Sequence, residues 1–254
     1  MDNDEMPDFY RRLWRLPTSP ARLGRRSTLD VDAVVDTAIR LADEGGLESA
    51  TLPKVARKLG VTPMSLYRHV GSKQELLMLM LDAASCPRET DEATSGWREG
   101  LRLWAVDLWE LYLERPWLPR VPVYRPPAGP HQMAWMERGL AQLSSTPLAW
   151  DLRLSVVTLL SGYVRHSALL AQELAEGLAA EQSHADSGDL YARTLGSLIT
   201  PAEFPHLAAM FASEALTSTD ERSAGEASSD FAAGLDLILD GLAVRVDGGA
   251  PPHA

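Results

Sequence analysis

Several residue types and patterns that define common protein classes are scarce in this chain of 254 residues. Cys86 is the only cysteine, which excludes an intrachain disulfide framework and a cysteine-rich zinc site. No run approaches the ~18 apolar residues of a membrane-spanning helix, and the N-terminus has no apolar core of signal-peptide length. We therefore expect a cytoplasmic protein without a membrane partner.

Lysine is also scarce, and the few lysines are clustered. Lys54, Lys58 and Lys73 all lie within residues 10–73, where 12 Lys and Arg face 6 Asp and Glu. Residues 86–254 carry 12 Arg against 23 Asp and Glu, so the net charge of −11 conceals a local balance of +6. This asymmetry indicates a basic module, suited to a nucleic acid, attached to an acidic body.

No window of the sequence alternates with the period of two that marks a β-strand, and apolar residues recur instead with helical spacing. The segment Arg115–Pro130 holds six prolines and cannot form one continuous helix. We therefore predict an all-α fold. The predicted helices are Asp30 to Gly45, Thr51 to Gly60, Thr62–Val70, Lys73–Ala84, Trp97–Glu114, His131–Leu143, Ala149–Ala180, Pro201–Ala212 and Ser229–Val246.

Residues 1–27 form an arginine-rich arm that we expect to be mostly flexible, with one or two helical turns in its FYRRLWRL segment. Two interpretations of the arm remain open. It is either a solvated tail or an arm that lies along DNA, because guanidinium groups suit phosphates and narrow minor grooves. Arg25 and Arg26 are its candidate DNA contacts.

The segment Leu52–Gly71 has the spacing of two short helices that cross at a steep angle. Ala56 is small where the helices approach most closely, and Gly60 lies at the turn, where a positive φ is commonly required. The apolar contacts between the helices are predicted at Val55, Leu59, Val61 and Leu66. This pattern is a helix-turn-helix, a motif whose second helix enters the DNA major groove by its N-terminal end.

The second helix of this motif has much polar surface and only Leu66 and Val70 as firm apolar anchors. It is therefore a poor core helix and a good candidate for reading DNA. For His69 a packing role stays open as the alternative. The candidate DNA-binding residues of the motif and its flanks are Thr51, Lys54, Thr62, Pro63, Met64, Ser65, Tyr67, Arg68, His69 and Lys73.

The stretch Leu29–Leu81 resembles the TetR family of bacterial transcriptional regulators in its Gly-Gly helix end, its "ARKLGV" and "SLYRHV" motifs and the lysine that opens the next helix. The resemblance implies base contacts from Pro63, Met64 and Tyr67. It also implies phosphate contacts from Thr51, Ser65, Tyr67, His69 and Lys73. Many members have an arginine near the start of the second helix, where this sequence has Pro53.

The rest of the chain resembles the tetracycline-repressor branch through "RPWLPRVPVYRPPAGP", "LSGYVRHSALLAQE" and "FAAGLDLILDGLAVRV". In that branch the long helix and the last helix pair with their copies in a second subunit. The last helix carries an apolar stripe at helical spacing, which we interpret as the dimer interface, with an internal core stripe as the alternative. Its residues are Phe231, Leu235, Ile238, Leu239 and Leu242.

Aromatic residues concentrate in the same region, and an apolar cavity for a small organic ligand is one explanation for them. Ordinary core packing is the other. The candidate ligand-binding residues are Trp104, Trp109, His131, Trp135, Tyr163 and His166. Because Val121 and Leu170 stand where tetracycline repressors place a metal-binding His and a Glu, the resemblance implies a metal-free ligand, and we expect no cofactor.

These observations predict an N-terminal three-helix DNA-binding domain with a helix-turn-helix (residues 28–85), a larger helical domain for ligand binding and dimerisation (86–246) and a disordered tail (247–254). The predicted function is a homodimeric repressor that binds a palindromic double-stranded operator and is released by a small organic effector. A DNA-binding activator and a ligand-independent regulator remain alternatives. An enzyme is not expected, since no nucleophile elbow, phosphate-binding glycine loop or metal-spaced histidine cluster is present.

Overall fold

The computed structural model describes residues 6–16, 29–88, 96–181, 194–212 and 224–248, and the regular elements within these ranges are all helical. The all-α prediction is confirmed. The chain separates into two compact units. One holds the described residues through Ala168 together with the end of the last helix from Gly241, and the other runs from Leu169 to Asp240.

Four helices form the head, preceded by one short helix. The short helix is α1 (Asp8–Leu13), and the head consists of α2 (Val31–Gly45), α3 (Leu52–Leu59), α4 (Pro63–Val70) and α5 (Lys73–Ala84). Each head helix begins at a predicted or recognisable cap, because a side-chain oxygen accepts one of the N–H groups that a helix start leaves unpaired. The caps are Asp30, Thr51, Thr62 and Ser72.

Three of the helices that follow lie within one residue of their predicted ends, whereas the last two begin elsewhere, at Pro205 instead of the predicted Pro201 and at Ala224 instead of the predicted Ser229. The helices after the head are α6 (Trp97–Glu114), α7 (Pro130–Gln142), α8 (Trp150–Glu181), α9 (Pro205–Phe211) and α10 (Ala224–Gly248). A short 3₁₀ turn, Leu118–Arg120, lies within the proline-rich connection, and a further helical stretch covers 194–198. We use "the body" for α6, α7 and the part of α8 up to Ala168.

The predicted flexible arm differs from the structure over its first half. Phe9 and Leu13 of α1 are buried in the same apolar cluster as Leu66, Val70 and other head residues, because their spacing of four places both on one face of the helix. The predicted one or two helical turns are present. Residues 17–28, and with them Arg25 and Arg26, lie outside the described residues.

The predicted tail also needs a correction at its start. Asp247 and Gly248 continue α10, so the last helix ends two residues later than the predicted Val246. Nothing in the local sequence stops the helix earlier, since no proline or capping motif follows Val246 directly. The remainder of the tail lies outside the described residues.

Helix α8 is the one described helix that, by length and composition, is long and apolar enough to cross a membrane, over Trp150–Gly177. It nevertheless buries one regularly spaced face within its own chain, and Arg165 donates to the carbonyl oxygens of Pro119 and Val121 at 2.9 Å each. The buried face consists of Val156, Val157, Leu160, Val164 and Ala168. We therefore treat α8 as a helix packed on its own chain.

Candidate DNA-binding surface and its connection to the body

The turn between α3 and α4 has the geometry that the motif requires. Gly60 adopts a left-handed conformation with φ of 68°, and the Val61 N–H donates to the Ala56 carbonyl at 3.0 Å. Ala56 and Leu66 are buried, so the two helices cross tightly over small and apolar side chains. The predicted helix-turn-helix is confirmed.

Side-chain caps fix the start of the helices that would face DNA. The Thr62 hydroxyl accepts the Ser65 N–H at 3.3 Å, and the Thr51 hydroxyl accepts the Lys54 N–H at 3.4 Å. The Ser72 hydroxyl accepts the Glu75 N–H at 3.1 Å and so sets the start of α5 beside Lys73. These local bonds pre-form the surface without using the longer basic side chains.

The N-terminal half of α4 is exposed although its opposite face is buried. Met64 is 70% and Tyr67 44% exposed, whereas Leu66 is fully buried. Thr62, Pro63, Arg68 and Lys73 are exposed as well, and Thr51, Lys54, Ser65 and His69 are half-buried. Among the described residues, no hydrogen bond or ion pair engages the side chains of Tyr67, Arg68, His69 or Lys73. The DNA contacts assigned to these side chains stay predictions.

The arginines of α1 are, by contrast, engaged within the protein. Arg12 of α1 pairs with Glu75 of α5 at 2.5 Å, and Arg15, which follows α1, pairs with Asp32 of α2 at 2.5 Å. Arg12 and Arg15 of the predicted arm are therefore committed to internal ion pairs, and the Arg11 guanidinium donates to the Met6 carbonyl at 3.3 Å. The sequence signal for this packing was the Phe9–Leu13 pair, four residues apart and flanked by charges.

In the body, the structure brings two of the predicted ligand-binding residues together. The Trp104 and Trp135 rings meet edge to face at 6.0 Å, and the Trp104 indole N–H donates to the Trp135 carbonyl at 2.9 Å. The Trp135 indole N–H donates to the Ser85 carbonyl at 2.7 Å. Both rings are buried, with their N–H groups bonded internally, which matches the core-packing alternative.

His131 has an internal role that sequence reasoning missed. Its Nδ1 lies 3.0 Å from the Asp82 carbonyl oxygen and 3.4 Å from the Asp82 carboxylate. Burial raises the pKa of Asp82, and hydrogen bonds from the Gln132 and His131 N–H groups oppose this shift. No sequence signal marked this pair, because 49 residues separate its members.

The remaining candidate ligand-binding residues differ in exposure: Trp109 is buried, Tyr163 half-buried and His166 exposed. Beside Trp135 lies a cleft of about 150 Å³ that Asp107, Leu111 and Arg115 also line. Sites for small organic molecules typically measure about 300–1,000 Å³, so this cleft is small for one. Within the described ranges, no group of three or more His, Cys, Asp or Glu could hold a metal ion.

The predicted dimer stripe of the last helix is largely buried within the chain. Phe231, Leu235, Leu239 and Leu242 are buried within the chain itself, and Ile238 is half-buried. Helical spacing reveals an apolar face but not what covers it, so this burial favours the core-stripe alternative, and the dimer interface stays a prediction. The large apolar side chains of α10 that are exposed are Leu237 and Val244.

Comparison with known proteins agrees with this architecture. Residues 34–79 match the family "Bacterial regulatory proteins, tetR family", and residues 89–246 match "Tetracyclin repressor-like, C-terminal domain". The HTH-type transcriptional repressor DrrR1 of Streptomyces coeruleorubidus is 34% identical over 239 residues, which cover 92% of this chain and 84% of that protein.

Solved structures show the same fold. ActR of Streptomyces coelicolor, crystallised in complex with actinorhodin, superposes with a TM-score of 0.69 and 28% identity over 88% of this chain and 100% of that chain. The apo form of ActR gives a TM-score of 0.68 and 29% identity. With both of its domains matched and a repressor related over most of its length, this chain belongs to the TetR family of bacterial transcriptional regulators.

Proposed function

We propose that the protein is a homodimeric repressor that binds a palindromic operator through α4 and leaves it when a small organic molecule binds. The proposed site of action is the cytoplasm. The observation that carries the proposal is the surface of α4, where side chains that can contact bases and phosphates are exposed around a buried anchor, Leu66.

DNA binding by this surface follows from its chemistry. Met64 and Tyr67 offer apolar and hydroxyl contacts to base edges, while Arg68 and Lys73 offer positive charge to phosphates. The N-terminus of α5 adds free backbone N–H groups beside Lys73. The related DrrR1 is named a repressor, which supports repression over activation.

Dimerisation is proposed on separate grounds. A single helix-turn-helix makes few contacts, and two linked heads bind two half-sites with far greater overall affinity. Leu170 and Leu174 of α8 and Leu237 of α10 expose between 47% and 74% of their surface although they lie in the long helix and the last helix. We assign the partner-facing surface to these residues in place of the buried stripe.

Effector binding is proposed from the likeness to ActR, whose structures contain (S)-DNPA or actinorhodin. The candidate contacts stay Trp104, Trp109, His131, Trp135, Tyr163 and His166, and an effector that reaches Trp104, Trp135 or His131 would have to break their internal hydrogen bonds. A molecule of that kind exceeds the cleft of about 150 Å³. We therefore expect effector entry to separate body helices, and release would follow from a shift between two conformations of the dimer.

The proposal is tested by selecting bound duplexes from fragmented genomic DNA and from random sequence. We expect a palindrome whose half-site centres are about 10–10.5 base pairs apart, bound with steep salt dependence. Actinorhodin and a library of small aromatic compounds are then screened for release of the selected duplex. Failure to enrich any sequence above unselected DNA contradicts the proposal.

Dimerisation has its own test. Leu237→Asp places a charge on the assigned interface and should shift the protein from dimer to monomer in sedimentation velocity runs. The matched control is Val123→Asp in the proline-rich connection, because Val123 is 72% and Leu237 74% exposed. A monomeric wild type, or dissociation by both variants alike, contradicts the assigned interface.

A further inference from the structure

The N-terminus of α7 is capped by a residue of the head. The N-cap position of α7 is Gly129, which has no side chain to accept the unpaired N–H groups of the first turn. Asp82 of α5 takes this role, because its Oδ1 accepts the His131 N–H and the Gln132 N–H at 3.0 Å each. These are the two N–H groups that a helix's own N-cap side chain would serve.

The fit between Asp82 and this turn is close. Asp82 is only 3% exposed. A Cβ at position 129 would overlap its carboxylate, so only glycine leaves enough room for Asp82 at this position. The His131 Nδ1 also contacts the Asp82 carbonyl at 3.0 Å. A buried carboxylate at a helix N-terminus is well placed to interact with the helix dipole. The end of α5 and the start of α7 are thus joined by three hydrogen-bonding contacts.

Helix α1 holds the same turn from a second side. The Trp14 indole N–H donates to the Ala128 carbonyl at 2.8 Å. The Arg125 guanidinium lies 5.3 Å from the centre of the Phe9 ring, within cation–π distance. Because Phe9 is buried in the head cluster, α1 attaches the segment before α7 to the head independently of Asp82.

Farther along, α7 enters the interior of the body. Trp135 contacts Trp104 of α6, and a Cβ at Gly139 would lie 3.1 Å from Val157 of α8 and 3.3 Å from Trp104. A helix of 13 residues that is close-packed at this point cannot turn without moving its first turn. Any rotation of α7 therefore acts on Asp82, and through α5 on the recognition helix.

We propose that Asp82 is the positioning residue that fixes the angle of the head, by capping α7 from the head side. This inference rests on the proposed function, because its consequence is selective binding to one half-site spacing. A head held at a fixed angle accepts one spacing, whereas a head released from α7 accepts several. Asp82 itself does not touch DNA.

The test compares two fluorescein-labelled duplexes on each protein variant: the selected palindrome, and the same palindrome with two base pairs inserted at its centre. The insertion rotates the half-sites by about 70° and separates them by about 7 Å. For the wild type we expect it to reduce affinity by at least about tenfold. For Asp82→Ala we expect the reduction to fall below about threefold, because the head stays attached through α1 while α7 no longer fixes its angle.

The ratio of the two affinities is measured on one protein sample, so a lower folded fraction of a variant cancels from it. Asp82→Asn keeps the Oδ1 acceptor and should restore the wild-type ratio. Asp30→Ala is the matched control, since it removes a carboxylate cap of a single head helix, bonded to the Ala33 N–H at 2.8 Å, and should keep the wild-type ratio.

A wild-type ratio in Asp82→Ala overturns the inference, as does a wild type that binds both spacings equally. An altered ratio in Asp30→Ala also overturns it, because loss of any cap would then have the same effect. If the wild type enriches no duplex at all, the proposed function fails and the inference fails with it. If the wild type selects a palindrome and Asp82→Ala keeps the wild-type ratio, the inference fails while the proposed function stays intact.

Discussion

The recognition helix of the head and the aromatic helices of the body use the same residue types in opposite ways. On α4 the Tyr67 ring is 44% exposed and its hydroxyl has no partner among the described residues. In the body, Trp104 and Trp135 are buried, and both indole N–H groups donate to carbonyl oxygens. An aromatic side chain with an unused polar group on a surface is available to a ligand, whereas one with that group bonded internally contributes to the scaffold.

This contrast explains why Met64 and Tyr67, predicted to bind DNA, lie exposed on the head, whereas the predicted ligand-binding residues Trp104 and Trp135 are buried in the body. A helix-turn-helix places its recognition side chains outward by geometry, so sequence position indicates their exposure. In a helical body, apolar spacing marks a buried face without saying whether a ligand, a partner or another helix covers it. Four predictions test the contrast, beginning with the largest expected effect.

Trp135→Ala should lower the free energy of unfolding by about 3–5 kcal/mol, because it removes a large buried ring and leaves the Ser85 carbonyl without its donor. The measurement is urea denaturation followed by circular dichroism. Tyr67→Ala, an exposed aromatic, should stay within about 0.5 kcal/mol of the wild type. Equal losses in the two variants would remove the distinction between scaffold and surface.

Tyr67→Ala should instead weaken binding to the selected operator by about 1–3 kcal/mol, because Tyr67 is placed to reach base edges and phosphates. Fluorescence anisotropy at fixed salt measures the loss, and sedimentation confirms that the dimer persists. Tyr124→Ala is the matched control, since Tyr124 is 41% exposed in the proline-rich connection. Unchanged affinity of Tyr67→Ala would show that Tyr67 does not contact the operator as proposed.

Lys73→Ala should reduce the slope of log affinity against log salt concentration by about 1, the effect of losing one phosphate contact. Affinity should fall by similar factors for the selected operator and for unrelated DNA, because phosphates carry no sequence. Titrations at several salt concentrations give the slope. Arg245→Ala removes an exposed charge of α10 and should leave the slope unchanged; an equal change there would indicate a general charge effect.

The smallest effect concerns the pH dependence of stability at Asp82. Burial raises its pKa above the ordinary 3.8, so the folded state binds this proton more tightly than the unfolded state. The wild type should therefore lose stability as pH rises from the ordinary value through the raised one. Asp82→Asn keeps the acceptor but lacks the titration, so its stability relative to the wild type should increase across that range.

Denaturation midpoints of the wild type and Asp82→Asn between pH 3 and pH 7 show whether the relative stability of Asp82→Asn increases with pH. This range brackets ordinary and moderately raised carboxyl pKa values. Asp30→Asn is the control, because Asp30 is exposed and has an equivalent capping bond. A stability difference that moves in favour of the wild type as pH rises would mean that the hydrogen bonds from His131 and Gln132 outweigh the burial of Asp82.

The limits of sequence prediction are visible in individual residues. Thr51, Thr62 and Gly60 act through local backbone geometry, so their roles as caps and turn follow from the neighbouring sequence. The helical turns around Phe9 were predicted, but the burial of Phe9 was missed, because a six-residue helix is marginal in isolation and forms here by packing on the head. Leu239 was assigned to an interface because helical spacing does not distinguish internal from external burial.

The sequence by itself determined the all-α class, the helix-turn-helix and the basic head on an acidic chain, because capping, periodicity and charge are properties of neighbouring residues. Only the tertiary structure decided that Asp82 caps α7 and that Trp14 holds the turn before it. Those contacts join residues 49 and 114 positions apart. The pairing of such distant groups depends on how the helices pack, which no local pattern encodes.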